Sequence, residues 1–187
     1  ASFNDVLEDE INLSIATKVY EMLIDLGART LISRVDDYDL SDVYAKNHKV
    51  QDLKKRIAYM KENQADLFVS IHLNSFSNSD VSGAQVFYKK NVPSSKEFAL
   101  VMQQTLNSIN KKEKKPKVGD YYLLNNSGDL NGVMVECGFL SNTEERNQYG
   151  GRTMSLIREI KEQVLQGNQI AKAEALQLYG EPLEELC

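Results

Sequence analysis

The sequence has few of the residues and patterns that mark several protein classes. Its 187 residues include two cysteines, Cys137 and Cys187, which are too few for a disulfide framework. No apolar run is long enough to span a bilayer, so a transmembrane segment is not predicted. The sequence also has no secretory signal peptide and no initial methionine, and we therefore expect a mature or truncated form.

The sequence also lacks an excess of basic residues. The 22 Lys and Arg residues are outnumbered by 27 Asp and Glu residues, which gives a net charge of −5. Binding to a nucleic-acid backbone needs a basic face, so a nucleic-acid partner is not expected. The one lysine cluster, at residues 111–117, surrounds Pro116 and is interpreted as a solvated loop.

The order of helical and strand patterns predicts the fold class. Hydrophobic residues make up 42% and charged residues 26% of the chain, as in an ordinary globular domain. Apolar positions at helical spacing predict helices over 11–26, 52–63 and 95–109. Apolar runs predict strands at 28–32, 65–75, 83–88, 121–124 and 132–137. This alternation predicts an α/β fold with a mostly parallel, twisted sheet, helices on both faces and a helical C-terminal tail.

Two of the predicted strands end in ionisable residues. The first delivers His72 to a loop rich in serine and asparagine, and the second delivers Glu136 to the sequence GFLSN. Ligands of open α/β sheets bind at the carboxyl ends of the strands. A neutral imidazole and a carboxylate base are what a metal hydrolase needs, so this pair is our first candidate site.

The other histidine and the buried-looking cysteine are weaker candidates. His48 lies among Lys46, Asn47 and Lys49, and we interpret it as a solvated loop residue. Cys137 follows Glu136 directly, so on a strand its side chain is expected to point to the opposite face.

Several segments resemble the zinc-dependent N-acetylmuramoyl-L-alanine amidases of type 3. The matching segments follow the family's order over nearly all of the first 148 residues: LEDEINLSIA (7–16), LKKRIAYMKENQADLFVSIHLNS (53–75), SGAQVFY (82–88) and VMVECGFLSN (133–142). Within the family, DLSD (39–42) and HKVQDLKKR (48–56) are most similar to the amidases of the sporulation cortex.

The resemblance implies a zinc ion held by two histidines and one glutamate. The glutamate ligand falls on Glu8, one histidine ligand on His72, and the catalytic glutamate on Glu136. The other zinc histidine of the family lies in a GHGG-type loop after the first strand, and it is expected upstream of Ala1.

The resemblance also implies domain limits, partners and a location. Residues 1–148 are expected to form the amidase catalytic domain, with its first strand upstream. The tail at 149–187 is expected to contain helices at 155–166 and 170–178. Residues 160–186 resemble the N-terminal helices of biotin synthases, and the tail is interpreted as a foreign or fused end. Peptidoglycan is the expected substrate, and an activating protein that loads the metal is an expected partner. Such an enzyme is exported, to the cell wall or to the space between the forespore membranes.

Two alternatives to the amidase remain open at this point. A metal-deficient, partner-regulated module that binds the cell wall would keep the fold without a competent zinc site. A cysteine hydrolase would use Cys137 and His72, but the neighbouring Glu136 carboxylate raises the thiol pKa and disfavours the thiolate that such an enzyme needs.

Overall fold

The chain is described by a computed structural model at residues 2–3, 6–109 and 112–149. The helices are α1 (Glu8–Asp25), α2 (His48–Glu62), α3 (Pro93–Ile109), α4 (Tyr122–Asn126) and α5 (Thr143–Tyr149). The strands are β1 (Ser2–Phe3), β2 (Val6–Leu7), β3 (Leu67–Asn74), β4 (Gln85–Tyr88), β5 (Lys117–Val118) and β6 (Asn131–Phe139).

The main sheet has the strand order β3-β6-β4-β5. Strands β3 and β6 are parallel, as are β4 and β5, whereas β4 runs antiparallel to β6. The predicted mostly parallel sheet is therefore confirmed, with one antiparallel ladder inside it. Strand β6 is central and is buried along almost its whole length, which explains why it reads as a continuous apolar run.

Helices cover both faces of the sheet, as predicted. One apolar cluster joins Ile15 of α1 and Ala99 of α3 to the β6 side chains Val133 and Val135. The other cluster joins α2 and α4 to the opposite face, through Ile57, Leu123, Leu124, Phe68 and Met134. Because alternate β6 residues enter opposite clusters, the sheet is the middle layer of a three-layer domain.

The prediction of a strand at residues 28–32 is wrong. Helix α1 ends as predicted before Gly27, whose φ of 85° lies in the left-handed region. Residues 28–32 then have no regular secondary structure. A strand needs a hydrogen-bonded neighbour. Residues 29–32 instead line a cavity of about 640 Å³, which residues of β3 also line.

The cavity lies along the outer edge of β3. In the described sheet β3 pairs only with β6, so its other edge has no strand beside it. Side chains from α1, α2 and α3 line the cavity, together with Leu67, Phe68 and Val69 of β3. Buried sheet edges are normally covered, and this one faces a largely apolar space instead.

Two short segments also differ from the prediction. Residues 122–126 form helix α4, although the predicted strand covered 121–124. Strand β5 begins at Lys117, the last residue of the lysine cluster that was predicted as a loop. Such short segments carry too little periodicity to distinguish strand from helix, and their contacts with Phe87 and Tyr88 decide the outcome. The tail predicted at 149–187, with helices at 155–166 and 170–178, lies outside the described residues except for Tyr149.

Candidate functional site

Glu8 and His72 meet beside the carboxyl end of β3. Glu8 is the first residue of α1, and His72 is near the end of β3. The imidazole Nδ1 lies 3.1 Å from the Glu8 carboxylate Oε1. The helix begins with three acidic residues, which favours this start because negative charge is stabilised at a helix N-terminus. Residues 64 positions apart thus form one polar pair.

Other donors also point at the same Glu8 oxygen. The amide of Asn12, one turn along α1, donates to Oε1 over 3.1 Å, and the backbone N–H of Leu73 donates over 3.3 Å. Burial of Glu8 raises its pKa, but hydrogen bonds to the carboxylate, led by those from His72 and Asn12, outweigh this and lower the pKa to about 2. Glu8 is therefore ionised across the neutral range.

Glu136 lies next to this pair on the neighbouring strand. In the β3–β6 register Glu136 is the direct partner of His72. The residue is only 7% exposed, and its buried Oε2 has no hydrogen-bond partner among the described residues. Burial raises the pKa of Glu136 to about 7; the nearby His72 opposes this effect, and the Glu8 charge adds to it. The site thus combines one ionised carboxylate with one that can gain or lose a proton near neutral pH.

The loops after β3 and β6 are fixed to each other at this edge of the sheet. Leu140 donates its backbone N–H to the Asn74 carbonyl over 2.8 Å, and Phe76 donates its N–H to the Ser141 hydroxyl over 3.0 Å. The Glu145 carboxylate of α5 accepts from Phe139 over 2.8 Å. These bonds fix the positions of the two strand ends, which carry His72 and Glu136, relative to each other.

The weaker candidates lie away from this site. His48 is the first residue of α2, not a loop residue as predicted; it is exposed, and its Nδ1 contacts the Ser41 hydroxyl. Cys137 is buried in the apolar cluster on the other face of β6, and burial raises the pKa of its thiol to about 12. A thiol in that state is not a nucleophile at neutral pH, which removes the basis of the cysteine hydrolase.

Comparison with known proteins assigns the family. Residues 1–166 match the N-acetylmuramoyl-L-alanine amidase family. The chain belongs to this family. The match extends past residue 148, and the predicted domain boundary there stays a prediction.

Individual amidases show the same relationship. The chain is 32% identical to the germination-specific N-acetylmuramoyl-L-alanine amidase of Bacillus subtilis (strain 168) over 150 residues, 78% of this chain and 63% of that protein. It therefore spans less than two thirds of that relative. Among solved structures, the CwlD amidase from Clostridioides difficile, in complex with the GerS lipoprotein, is 30% identical with a TM-score of 0.79. The alignment covers 92% of this chain and 87% of CwlD. The catalytic domain of CwlV from Bacillus (Paenibacillus) polymyxa, 23% identical over 93% of this chain and 87% of its own, shares the fold with a TM-score of 0.73.

The amidase resemblance implies zinc, and the site can be compared with what zinc requires. Zinc takes imidazole nitrogen and carboxylate oxygen at about 2.0–2.2 Å in tetrahedral geometry, which places two ligand atoms about 3.3 Å apart. The 3.1 Å between His72 Nδ1 and Glu8 Oε1 is close to that separation. The pair therefore fits two zinc positions. No group of three or more His, Cys, Asp or Glu residues that could hold a metal occurs in the described ranges.

Two polar residues of the candidate site were missed in the sequence. Asn12 follows Glu8 by four positions, the spacing that places two side chains on one helix face. Ser70 precedes His72 by two positions, the spacing of one strand face, and its hydroxyl lies 3.0 Å from His72 Nε2. Both could have been found by asking which polar neighbours share a face with each candidate ligand.

Proposed function

We propose that this chain is the catalytic part of a zinc-dependent peptidoglycan amidase. It hydrolyses the amide bond between N-acetylmuramic acid and the L-alanine of the stem peptide, in maturation of the spore cortex. The observation that carries the proposal is the meeting of Glu8, His72 and Glu136 at one edge of a sheet in a chain of the amidase family.

Glu8 and His72 would hold the zinc ion in this enzyme. Zinc supplies Lewis acidity, which makes water a nucleophile at neutral pH. The other residues then orient these two ligands. Asn12 and Leu73 hold the Glu8 carboxylate, and the register of β3 with β6 sets His72 opposite Glu136. Held in this way, the ligands would lose little conformational entropy when the metal binds.

Glu136 moves the proton. Its carboxylate accepts a proton from the attacking water while the water oxygen forms a bond to the amide carbon. It then gives that proton to the amine nitrogen of L-alanine as the carbon–nitrogen bond breaks. In the metal-free chain burial raises the pKa of Glu136 to about 7, and the charge of a bound zinc ion would lower it, which favours a group that acts first as a base and then as an acid. The buried Oε2 has no protein partner among the described residues that would compete for this proton.

A further histidine ligand, on a strand that precedes Ala1 in the protein, completes the zinc site in this proposal. The cavity is where a further strand could pair with β3. It lies along the edge of β3 that has no neighbouring strand among the described residues, and residues 29–33 also line it. Asn12 also lines the cavity, and its buried Oδ1 has no hydrogen-bond partner among the described residues. A backbone N–H on an added strand would be a suitable donor.

The enzyme acts outside the cytoplasm, in the cell wall or between the forespore membranes, with a protein partner that activates it. Support comes from the C. difficile CwlD amidase, which was solved with the GerS lipoprotein. In the described ranges no helix has both the length and the apolar character needed to cross a bilayer. Zinc affinity that does not change when the partner is added would contradict the activating role.

Zinc binding and amidase activity should be measured for this chain and for a form that carries an upstream strand with a GHGG-type loop. We expect the extended form to bind zinc more tightly and to release stem peptides from purified peptidoglycan. In it, Glu8→Ala should lose zinc and activity together, whereas Glu136→Gln should lose activity and keep zinc.

The same experiment tests the alternative, a metal-deficient module that binds the cell wall. The observation that favours this alternative is that the described residues supply only two zinc donors. If neither form binds zinc or releases peptide, and both still bind peptidoglycan, the wall-binding module replaces the amidase.

A further inference from the structure

Both ring nitrogens of His72 have polar partners. Nδ1 lies 3.1 Å from Glu8 Oε1, and Nε2 lies 3.0 Å from the hydroxyl oxygen of Ser70. Ser70 and His72 are two residues apart on β3, so their side chains lie on the same face of a strand that is paired along its length with β6. The ring is therefore held from both sides by residues on rigid elements.

The direction of each hydrogen bond follows from the acceptors. Glu8 Oε1 already accepts from the Asn12 amide and from the Leu73 N–H, so it acts as an acceptor toward His72 as well. In a neutral ring the proton must then be on Nδ1, which leaves Nε2 with a lone pair. The Ser70 hydroxyl can only donate to that lone pair.

Metal binding at Nδ1 reverses this arrangement. A ligating nitrogen needs its lone pair, so the ring proton has to be on Nε2. The partner of Nε2 must then accept a hydrogen bond where it previously donated one. A hydroxyl group can do both by rotating about its C–O bond, whereas a methyl group can do neither.

We propose that Ser70 is the positioning residue of His72, donating to Nε2 in the metal-free chain and accepting from Nε2–H when Nδ1 binds zinc. The inference rests on the proposed function for the identity of the metal. It adds that β3 carries the ligand together with a hydroxyl that can pair with Nε2 in either tautomer. Partners of this kind typically change metal affinity by about 10- to 100-fold when they are removed.

The test uses nuclear magnetic resonance of the chain labelled with ¹⁵N-histidine, in alkaline buffer where histidine rings are neutral. The chain has two histidines, and His48→Gln leaves the His72 signals alone in the spectrum. We expect the metal-free ring to carry its proton on Nδ1, and titration with Zn²⁺ to move the proton to Nε2. Because Glu8 fixes the metal-free tautomer, Ser70→Ala should keep the proton on Nδ1 and should change the chemical shift of Nε2, which has lost its hydrogen bond.

Zinc affinity, measured by competition with a chelator, gives the second readout. Ser70→Ala should bind zinc about 10- to 100-fold more weakly, and Ser70→Thr, which keeps the hydroxyl, should recover most of the loss. Ser108→Ala, on the exposed surface of α3, is the matched control and should bind as the wild type does. An unchanged amide spectrum shows that each variant is folded.

Two results would overturn the inference. One is a Ser70→Ala chain with the wild-type Nε2 chemical shift and the wild-type zinc affinity. The other is zinc bound through Nε2 instead of Nδ1. Failure of the proposed function is a separate result. A wild-type chain that binds no zinc would refute the metal-bound half, while the Nε2 chemical shift of metal-free Ser70→Ala would still decide whether Ser70 donates to the ring.

Discussion

Replacement of Glu136 by glutamine should make the protein more stable and inactive. Glu136 is 7% exposed and is the residue whose carboxylate is proposed to move the proton. Its pKa rises from the ordinary 4.5 to about 7, mainly because burial penalises the charged form. The folded state therefore favours the protonated carboxyl, and an ionised Glu136 destabilises the fold.

The size of the effect follows from the linkage between pKa and stability. Each pKa unit corresponds to about 1.4 kcal/mol, so at about pH 8 the ionised group costs about 3 kcal/mol. The cost falls as the pH falls through 7, to about 1 kcal/mol or less at about pH 5. Glutamine has the same shape and no charge, so the variant should escape this cost.

Denaturant unfolding of both proteins from about pH 5 to pH 8 measures the difference. Glu8 stays ionised in this range because its pKa is lowered to about 2, so its contribution cancels between the two proteins. Glu97→Gln, on the exposed surface of α3, is a control in which burial plays no part. A stability difference that does not grow with pH, or a Glu136→Gln variant less stable at about pH 8, would refute the reasoning.

Three further outcomes follow from the packing. Gln103→Leu should lower the free energy of unfolding by about 3 kcal/mol, because Gln103 is 1% exposed and accepts from the Val86 N–H over 2.8 Å. The control Gln104→Leu, on the exposed side of the same helix, should have little effect, and equal losses in the two variants would contradict this prediction. Gly132→Ala should lower the free energy of unfolding by about 1–3 kcal/mol, because the new Cβ would lie 2.0 Å from the Phe68 ring. In thermal melts, adding Phe68→Leu should recover part of this loss, and full stability of the single variant would refute the clash. The Cys137→Ala variant should keep its activity on peptidoglycan, and in the wild type mass spectrometry after alkylation of the folded chain should find Cys137 unmodified. Loss of activity in Cys137→Ala with the fold intact would support the cysteine hydrolase instead.

The long, buried elements were predictable because burial and periodicity agree in them. Strands β3 and β6 and helices α1, α2 and α3 all appear where the apolar pattern predicted them. The register that makes His72 the partner of Glu136 was not predictable, although the meeting of their strand ends was. The strand predictions at 28–32 and 121–124 were wrong because a short segment takes its structure from its neighbours.

The sequence by itself determined the fold class, the family resemblance and the residue types of the site, because these depend on local periodicity and on short motifs. Only the tertiary structure decided the chemical state of those residues. Burial beside Glu8 raises the pKa of Glu136, while donors from α1 and β3 keep Glu8 ionised. Ser70 and Asn12 gained a role only through their distances to His72 and Glu8. Burial, charge and hydrogen bonding arise from residues far apart in the chain, and no local pattern contains them.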